Sequence, residues 1–234
     1  MNTFWSILIA IVIFCVIVLV HEFGHYFVAK LCGIRVDEFS IGMGPVIYKK
    51  MGKETLFTVR ALPIGGACMM GEDVDEERSD SFRKKPVPQK MAVIVAGAFM
   101  NIVLGFVIAV AALIISGKAV TSTIVYFSDD AVSTQYGLQL NDTIVKINGT
   151  RIFTAKDITY QLSSDDDGIV DFVVKRDGKK VELNGVHFAM AYNEETGTQT
   201  LTYDFKVAAE KVTFANIIPY AFKNCIYYGR IVLM

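Results

Sequence analysis

The sequence lacks most of what marks a secreted or nucleic-acid-binding protein. Its 234 residues carry 23 Lys and Arg against 24 Asp and Glu, a formal net charge of −1. There is no basic excess to attract a polyanion, so no nucleic acid is expected as a partner. Cysteine is sparse: Cys15, Cys32, Cys68 and Cys225. No two of them share a short-spaced motif, and Cys15 sits in an apolar run, which argues against a disulfide framework or a cysteine-rich metal site. Met1 to Val20 contains no charged side chain at all. The basic start of a signal peptide is therefore missing, and no Ala-x-Ala-like cleavage site follows. The run reads as a retained span. No long-period repeat is present.

What is there is apolar. The chain is 53% hydrophobic with a mean hydropathy of +0.41, too apolar for an ordinary soluble domain. Phe4 to Val20 is uncharged, and the helix is expected to continue to about Leu31, where Cys32-Gly33 supplies a stop. Met91 to Ser116 is a second uncharged run, which at about 1.5 Å per residue reaches ~39 Å and can cross a bilayer with tilt. Phe214 to Met234 is apolar but interrupted by Lys223 and Arg230. It reads as a juxtamembrane helix or the start of a further span over 213–234. Between the two clear spans, Arg83, Lys84, Lys85 and Lys90 crowd the entrance to the second one. The positive-inside rule puts residues 33–90 in the cytoplasm, with the N-terminus and everything after Ser116 outside.

Residues 33–90 are not all loop. Glu38 to Pro45 is glycine-rich and turn-like. Leu56 to Leu62 alternates like a strand. Pro63-Ile64-Gly65-Gly66-Ala67-Cys68-Met69-Met70 is apolar without helical spacing. It is either a hairpin that dips into the membrane, where protein or a water cavity can satisfy its backbone, or a small cytoplasmic β-hairpin. Glu72 to Lys85 is charged and reads as a surface segment. From about Thr121 to Val212 the composition is that of a soluble domain. Strands are expected at Thr123–Phe127, Thr143–Ile147, Ile169–Lys175 and Lys179–Leu183, with helices at Ala131–Tyr136 and Ala155–Leu162 and turns at Gly137–Asp142 and Asn148-Gly149. About 90 residues can form a core without disulfides.

The chemistry is concentrated at His21-Glu22-Phe23-Gly24-His25. Two His four residues apart share a helix face and can ligate one Zn²⁺, with the intervening Glu activating its water. Three ionisable groups within an apolar helix need a partner or a task. Gly97, Asn101 and Gly105 recur every four residues on the second span. This small, polar stripe serves either helix packing or the metal site. His187 has no ligand set beside it and reads as a structural histidine. A catalytic zinc normally has three protein ligands and a water. No acidic residue lies in the second span, and Asp37 and Glu38 have no motif to recommend them.

Together these motifs resemble the site-2 proteases of the bacterial type, similar to the regulator of sigma-E protease. The resemblance rests on His21 to His25, Phe39 to Pro45, Pro63 to Gly66, Gly71-Glu72-Asp73, and Gly97 with Asn101. Gly137-Leu138 through Ile147-Asn148-Gly149 resembles the core of that family's PDZ domain. The resemblance implies a multi-span α-helical membrane protein with a membrane-associated β-hairpin and an extracytoplasmic α+β PDZ domain. It places the protease core at 1–120, the PDZ-like domain at 121–212, and the whole in the bacterial plasma or inner membrane. It implies an intramembrane zinc metalloprotease that cuts membrane-anchored substrates such as anti-sigma factors. His21 and His25 would be zinc ligands and Glu22 the general base. Pro63, Ile64, Gly65 and Gly66 would help present substrate, and Asn101 would contact its backbone. The PDZ domain would meet a peptide or the substrate's ectodomain, and lipid would surround the spans.

Two departures stand out. The family's Gly-Pro-x-x-Asn is here Gly97-Ala98-Phe99-Met100-Asn101, without the proline. The family's third ligand, the Asp of a Leu-Asp-Gly motif on a later span, has no counterpart. The sequence accordingly reads as an N-terminal portion of a longer protease. The alternative is a catalytically inactive membrane adaptor that binds peptides through the PDZ domain.

Overall fold

A computed structural model of the chain describes residues 3–70, 80–193 and 198–233. Gly71-Glu72-Asp73 and the first part of the charged segment expected over 72–85 lie outside the described residues. The chain divides into two compact units, 1–107 and 108–234. Composition suggested a boundary near 120. The observed division falls inside the second long helix, whose last residues belong to the second unit.

In the first unit, α1 runs Thr3–Leu31. Its best window has a mean hydropathy of 3.0, so it is long and apolar enough to cross a membrane. Its end is fixed by backbone chemistry. Gly33 takes φ +64°, the Gly33 N–H donates to the Lys30 carbonyl at 3.1 Å, and the Ile34 N–H donates to the Ala29 carbonyl at 2.9 Å. These two bonds form a Schellman motif, and buried Ile34 and Ala29 close it. α2 runs Val87–Ser116, with a window hydropathy of 2.7. It starts four residues before the uncharged run, because Pro88 is tolerated in a first turn. It stops at Gly117, whose N–H donates to the Leu113 carbonyl at 3.0 Å.

Between the helices lie β1 (Glu38–Met51) and β2 (Leu56–Met69). The turn expected over 38–45 is instead extended. Gly42 and Gly44 have positive φ, and a Cβ at Gly42 would lie 2.4 Å from the Leu62 carbonyl oxygen. Glycine there permits a bent strand pressed against its neighbour, not a loop. The register is two-sided: Glu38–Ile41 runs parallel to Leu56–Val59 and antiparallel to Gly66–Met69, while Tyr48–Met51 pairs back onto Leu56–Val59. Ala29, Ile34, Val36 and Val93 form a small core beneath, with Tyr26, Cys68 and Phe82 packed on it. The polar groups buried here are paired. Thr55 Oγ1 donates to the Val36 carbonyl at 2.8 Å, and Thr58 Oγ1 to Glu38 at 2.7 Å.

The second unit holds a sheet in the order β10-β3-β4-β6-β7, with β5 paired to β4. The strands are β3 (Lys118–Phe127), β4 (Thr143–Ile147), β5 (Thr150–Arg151), β6 (Ile169–Arg176), β7 (Lys179–His187) and β10 (Phe205–Lys211). A separate pair joins β8 (Met190–Asn193) to β9 (Thr198–Leu201). α3 spans Ala155–Ser163. The core is Ile124, Leu138, Ile144, Ile147, Ile158, Leu162, Val170, Phe172, Val174 and Val186 with their neighbours. The helix expected at 131–136 is a 3-10 turn over Ser133–Tyr136.

α4 spans Ile217–Leu233, and it corrects the expectation that the soluble fold ends at Val212. Arg230 reaches back to Asp157, a wholly buried carboxylate that also accepts the N–H groups of Phe153 and Thr154 at the start of α3. The same guanidinium donates to the Arg151 carbonyl at 2.7 Å. The charge that interrupts this apolar segment therefore docks on the domain.

Candidate metal centre

His21, Glu22 and His25 project from the last third of α1, where four-residue spacing stacks both imidazoles on one face. The rings stand nearly perpendicular, 81° apart with centroids 4.8 Å apart. Their Nε2 atoms approach to 3.1 Å.

The neighbouring wall is α2. At Gly24 a Cβ would lie 2.5 Å from the Ala96 carbonyl oxygen, so the helices meet backbone to backbone. At Gly97 a Cβ would lie 2.5 Å from His25 Nε2 and 2.6 Å from His21 Nε2. The two ring edges therefore share the space a side chain at 97 would fill. The far ring nitrogens are also held by α2. His25 Nδ1 meets the Val93 carbonyl at 2.7 Å. A carbonyl only accepts, so Nδ1 carries the proton, and in the neutral ring Nε2 is left with its lone pair. His21 Nδ1 lies 3.3 Å from Asn101 Nδ2, and Asn101 Oδ1 is buried without a partner. Val93, Gly97 and Asn101 are four residues apart and line one face. Gly105, expected to extend the stripe, has nothing within 4 Å of its would-be side chain.

β2 contributes the other side. A Cβ at Gly66 would lie 2.9 Å from Glu22 Cγ and 3.0 Å from the Ser40 carbonyl oxygen. Glycine here lets the strand pass directly over the carboxylate's stem. The rest of the expected substrate-binding run lies beyond that contact. The Pro63 carbonyl accepts from the Cys15 thiol, Gly65 packs on Met43, and Ile64 is exposed.

Two imidazoles that turn Nε2 to a common point, each tethered through Nδ1, fit a borderline cation such as zinc. They supply two ligands. Among the described residues, no group of three His, Cys, Asp or Glu side chains could hold a metal. Asp37 and Glu38 are engaged elsewhere. Asp37 pairs with Arg35 at 2.6 Å and Glu38 with Arg60 at 2.8 Å. Thr58's hydrogen bond, with help from Arg60, holds the Glu38 carboxyl below the usual range against the opposing effect of burial. His187 stacks on Tyr136 in the second unit, with centroids 4.5 Å apart. The sequence reading missed Val93, because a backbone carbonyl leaves no mark in residue identity.

Comparison with known proteins bears on the same residues. A "Putative zinc metalloprotease" of Clostridium acetobutylicum is 35% identical over 184 residues, covering 77% of this chain and 54% of the relative. Proteins of the same name from Clostridium perfringens and Fusobacterium nucleatum are 36% and 34% identical, covering 73% and 76% of this chain and 51% and 54% of theirs. The chain thus spans about half the length of the curated relatives it matches. The PDZ domain of an SdrC-like protein from Listeria monocytogenes covers 39% of this chain and 87% of that domain, at 18% identity and a TM-score of 0.27. That likeness is too weak to bear on the fold. The match to the family model is extensive: residues 9–224, which include the histidine pair, Glu22, both β-strands and Asn101, fit peptidase family M50, and the chain belongs to that family, the site-2 proteases.

Proposed function

We propose that the full protein is an intramembrane zinc metalloprotease that cuts membrane-anchored proteins, with anti-sigma factors as the expected substrate class. The observation that carries this reading is the 3.1 Å approach of His21 Nε2 to His25 Nε2 on a helix apolar enough to span a bilayer. His21 and His25 would hold the metal. Zinc, when bound, supplies a Lewis acid that polarises the scissile carbonyl and makes water a nucleophile at neutral pH. Glu22 would take the proton from that water and return it to the leaving amine. Gly66 keeps β2 against Glu22, and among the described residues Gly66–Met69 has a registered partner strand on one side only. An unwound substrate added as a strand there would present its peptide bonds beside the carboxylate.

The second unit would bind a peptide or the substrate's ectodomain in the manner of a PDZ domain. A cavity of about 280 Å³ lies between α3 and β10, lined by Ile158, Leu162, Phe205 and Val207 among others. In the membrane the N-terminus and this unit would face outside. Cysteine introduced at Asp80 and at Asp165 in separate variants tests that, with an impermeant thiol reagent on whole cells. Position 165 should label and position 80 should not, and the reverse pattern would overturn the orientation. The catalytic reading is tested by cleavage of a membrane-anchored reporter substrate by full-length protein, wild type against Glu22→Gln. Wild-type cleavage by the variant would exclude Glu22 as the base.

A further inference from the structure

Asn101 stands at the metal centre with one end satisfied and one end not. Its Nδ2 lies 3.3 Å from His21 Nδ1, while its Oδ1 is buried and has no hydrogen-bond partner among the described residues. An unpartnered buried oxygen is costly, so its retention needs a reason.

The proton count around the pair supplies one. With Asn101 Nδ2–H donating to His21 Nδ1, the neutral His21 ring must carry its proton on Nε2. That proton points at His25 Nε2, 3.1 Å away, whose lone pair is free because His25 Nδ1–H donates to the Val93 carbonyl. The chain of donors runs Asn101, His21, His25, Val93 without conflict. It closes the two rings on each other, and it leaves His21 Nε2 unable to ligate. For both Nε2 atoms to offer lone pairs, the His21 proton must move to Nδ1 and Nδ1 needs an acceptor. The unpartnered Asn101 Oδ1 is that acceptor, one half-turn of the amide away. The two ends of a carboxamide are nearly the same size, so the turn asks little of the packing.

We propose that Asn101 is a positioning residue whose amide, by turning end for end, selects the His21 tautomer and converts the histidine pair from a mutual hydrogen bond to a metal-ready pair. This rests on the metal-site reading above and adds a function for Asn101 that does not involve touching substrate. Val93 does the same for His25, but as a fixed carbonyl it cannot turn. One ligand is thus permanently set and the other is switched. Gly97, between them on α2, leaves the room in which the rings can face each other.

The test is the tautomer itself, read by ¹⁵N NMR of histidine-labelled full chain in detergent, metal-free and at mildly alkaline pH, with His21→Ala assigning the signals. Wild type should show His21 protonated at Nε2. Asn101→Asp offers only acceptors and should move the proton to Nδ1 with no metal present. Asn101→Leu should leave a mixture. The same His21 tautomer in all three proteins would overturn the proposal. So would an Nε2 proton that persists undiminished in folded Asn101→Leu. If Asn101→Leu fails to fold, wild type against Asn101→Asp still decides. Zinc affinity by chelator competition is the second readout. Loss of an outer-shell partner typically costs roughly 10–100-fold. Asn101→Leu should show that loss and Asn101→Asp should not, whereas equal affinity in wild type and Asn101→Leu would count against the proposal. A tautomer shift without zinc binding would fail the protease reading and leave this one standing.

Discussion

The two units of this chain are equally rich in aliphatic side chains and use them in opposite ways. Around its sheet the second unit packs them into a core: Ile124, Val170, Val174, Val186 and Leu162 are wholly buried, while Ile114 and Ile115 at the end of α2 stay exposed. The first unit leaves Ile7, Val12, Ile13, Phe14 and Ile17 of α1 uncovered, and its interior combines a small apolar core around Ile34 and Val36 with Ser40, Thr55, Thr58 and two glycine contacts. A chain solvated by water sorts its side chains by polarity. If the first unit is solvated by lipid, as proposed, it has no reason to hide them, and what it must satisfy internally is hydrogen bonding. The difference also predicts where each unit is fragile. The second depends on its core and its buried ion pairs, the first on close approach and on proton placement.

The sharpest break between the units should come at Glu22. In full-length protein, Glu22→Gln is expected to lower cleavage by roughly 10²–10⁴-fold, the range of general base catalysis. Zinc content by mass spectrometry and the thermal unfolding of the second unit should both stay unchanged. Zinc lost along with activity would make Glu22 a ligand rather than a base.

Next is Gly97→Val, which puts branched carbon where the two Nε2 atoms lie within 2.6 Å of a Cβ. Overpacking costs about 1–3 kcal/mol, which drawn from metal binding is about 10–100-fold in zinc affinity. Gly105→Val, with open space, should leave zinc affinity as it is. The pair separates a packing stripe from a metal-site residue on one helix.

In the second unit the matching experiment is Asp142→Ala. Asp142 is wholly buried and takes two hydrogen bonds from Arg176, at 2.8 and 2.7 Å. That hydrogen bond is also the first cause of the raised Arg176 pKa. Removing one partner of a buried pair costs about 3–5 kcal/mol. Denaturant unfolding followed in the second unit should show that loss, with zinc affinity unaffected. A loss below about 1 kcal/mol would mean that water reaches the pair.

The smallest effect belongs to Glu38. Its folded pKa lies below the ordinary 4.5, first through Thr58 and then through Arg60. The sign follows from linkage: the carboxylate's contribution is fully present above the unfolded pKa and is lost as pH falls through the folded one. Acid should therefore loosen the β1–β2 sheet, and Glu38→Gln should flatten that dependence. The pair is partly exposed, so the change is expected at roughly 0.2–1 kcal/mol. Hydrogen exchange at Leu56–Val59 against pH measures it.

Residue identity and spacing made much of this readable. Two uncharged runs are long enough and apolar enough to be continuous helices, so α1 and α2 were legible, as was the Gly33 stop. Alternation ending in the Asn148-Gly149 turn disclosed β4, and alternation on either side of Asp177-Gly178 disclosed the β6–β7 hairpin. Two histidines four apart with a glutamate between them pointed to the metal chemistry proposed above. The strand over 38–45 was misread, because local glycine content signals turns while the contact of Gly42 with Leu62 is made by residues twenty apart. α4's role was illegible for the same reason: Arg230 is explained by Asp157, 73 residues away.

By itself, then, the sequence determined the two apolar helices and the His-Glu-x-x-His spacing proposed to supply a ligand pair and a base, since each is a matter of composition or of periodicity along one helix. Only the tertiary structure decided what α2 brings to that pair. The Val93 carbonyl, the missing Cβ of Gly97 and the unpartnered Oδ1 of Asn101 act across the gap between two helices. Backbone atoms, empty space and amide orientation carry no residue code, so they become visible only when the helices are packed.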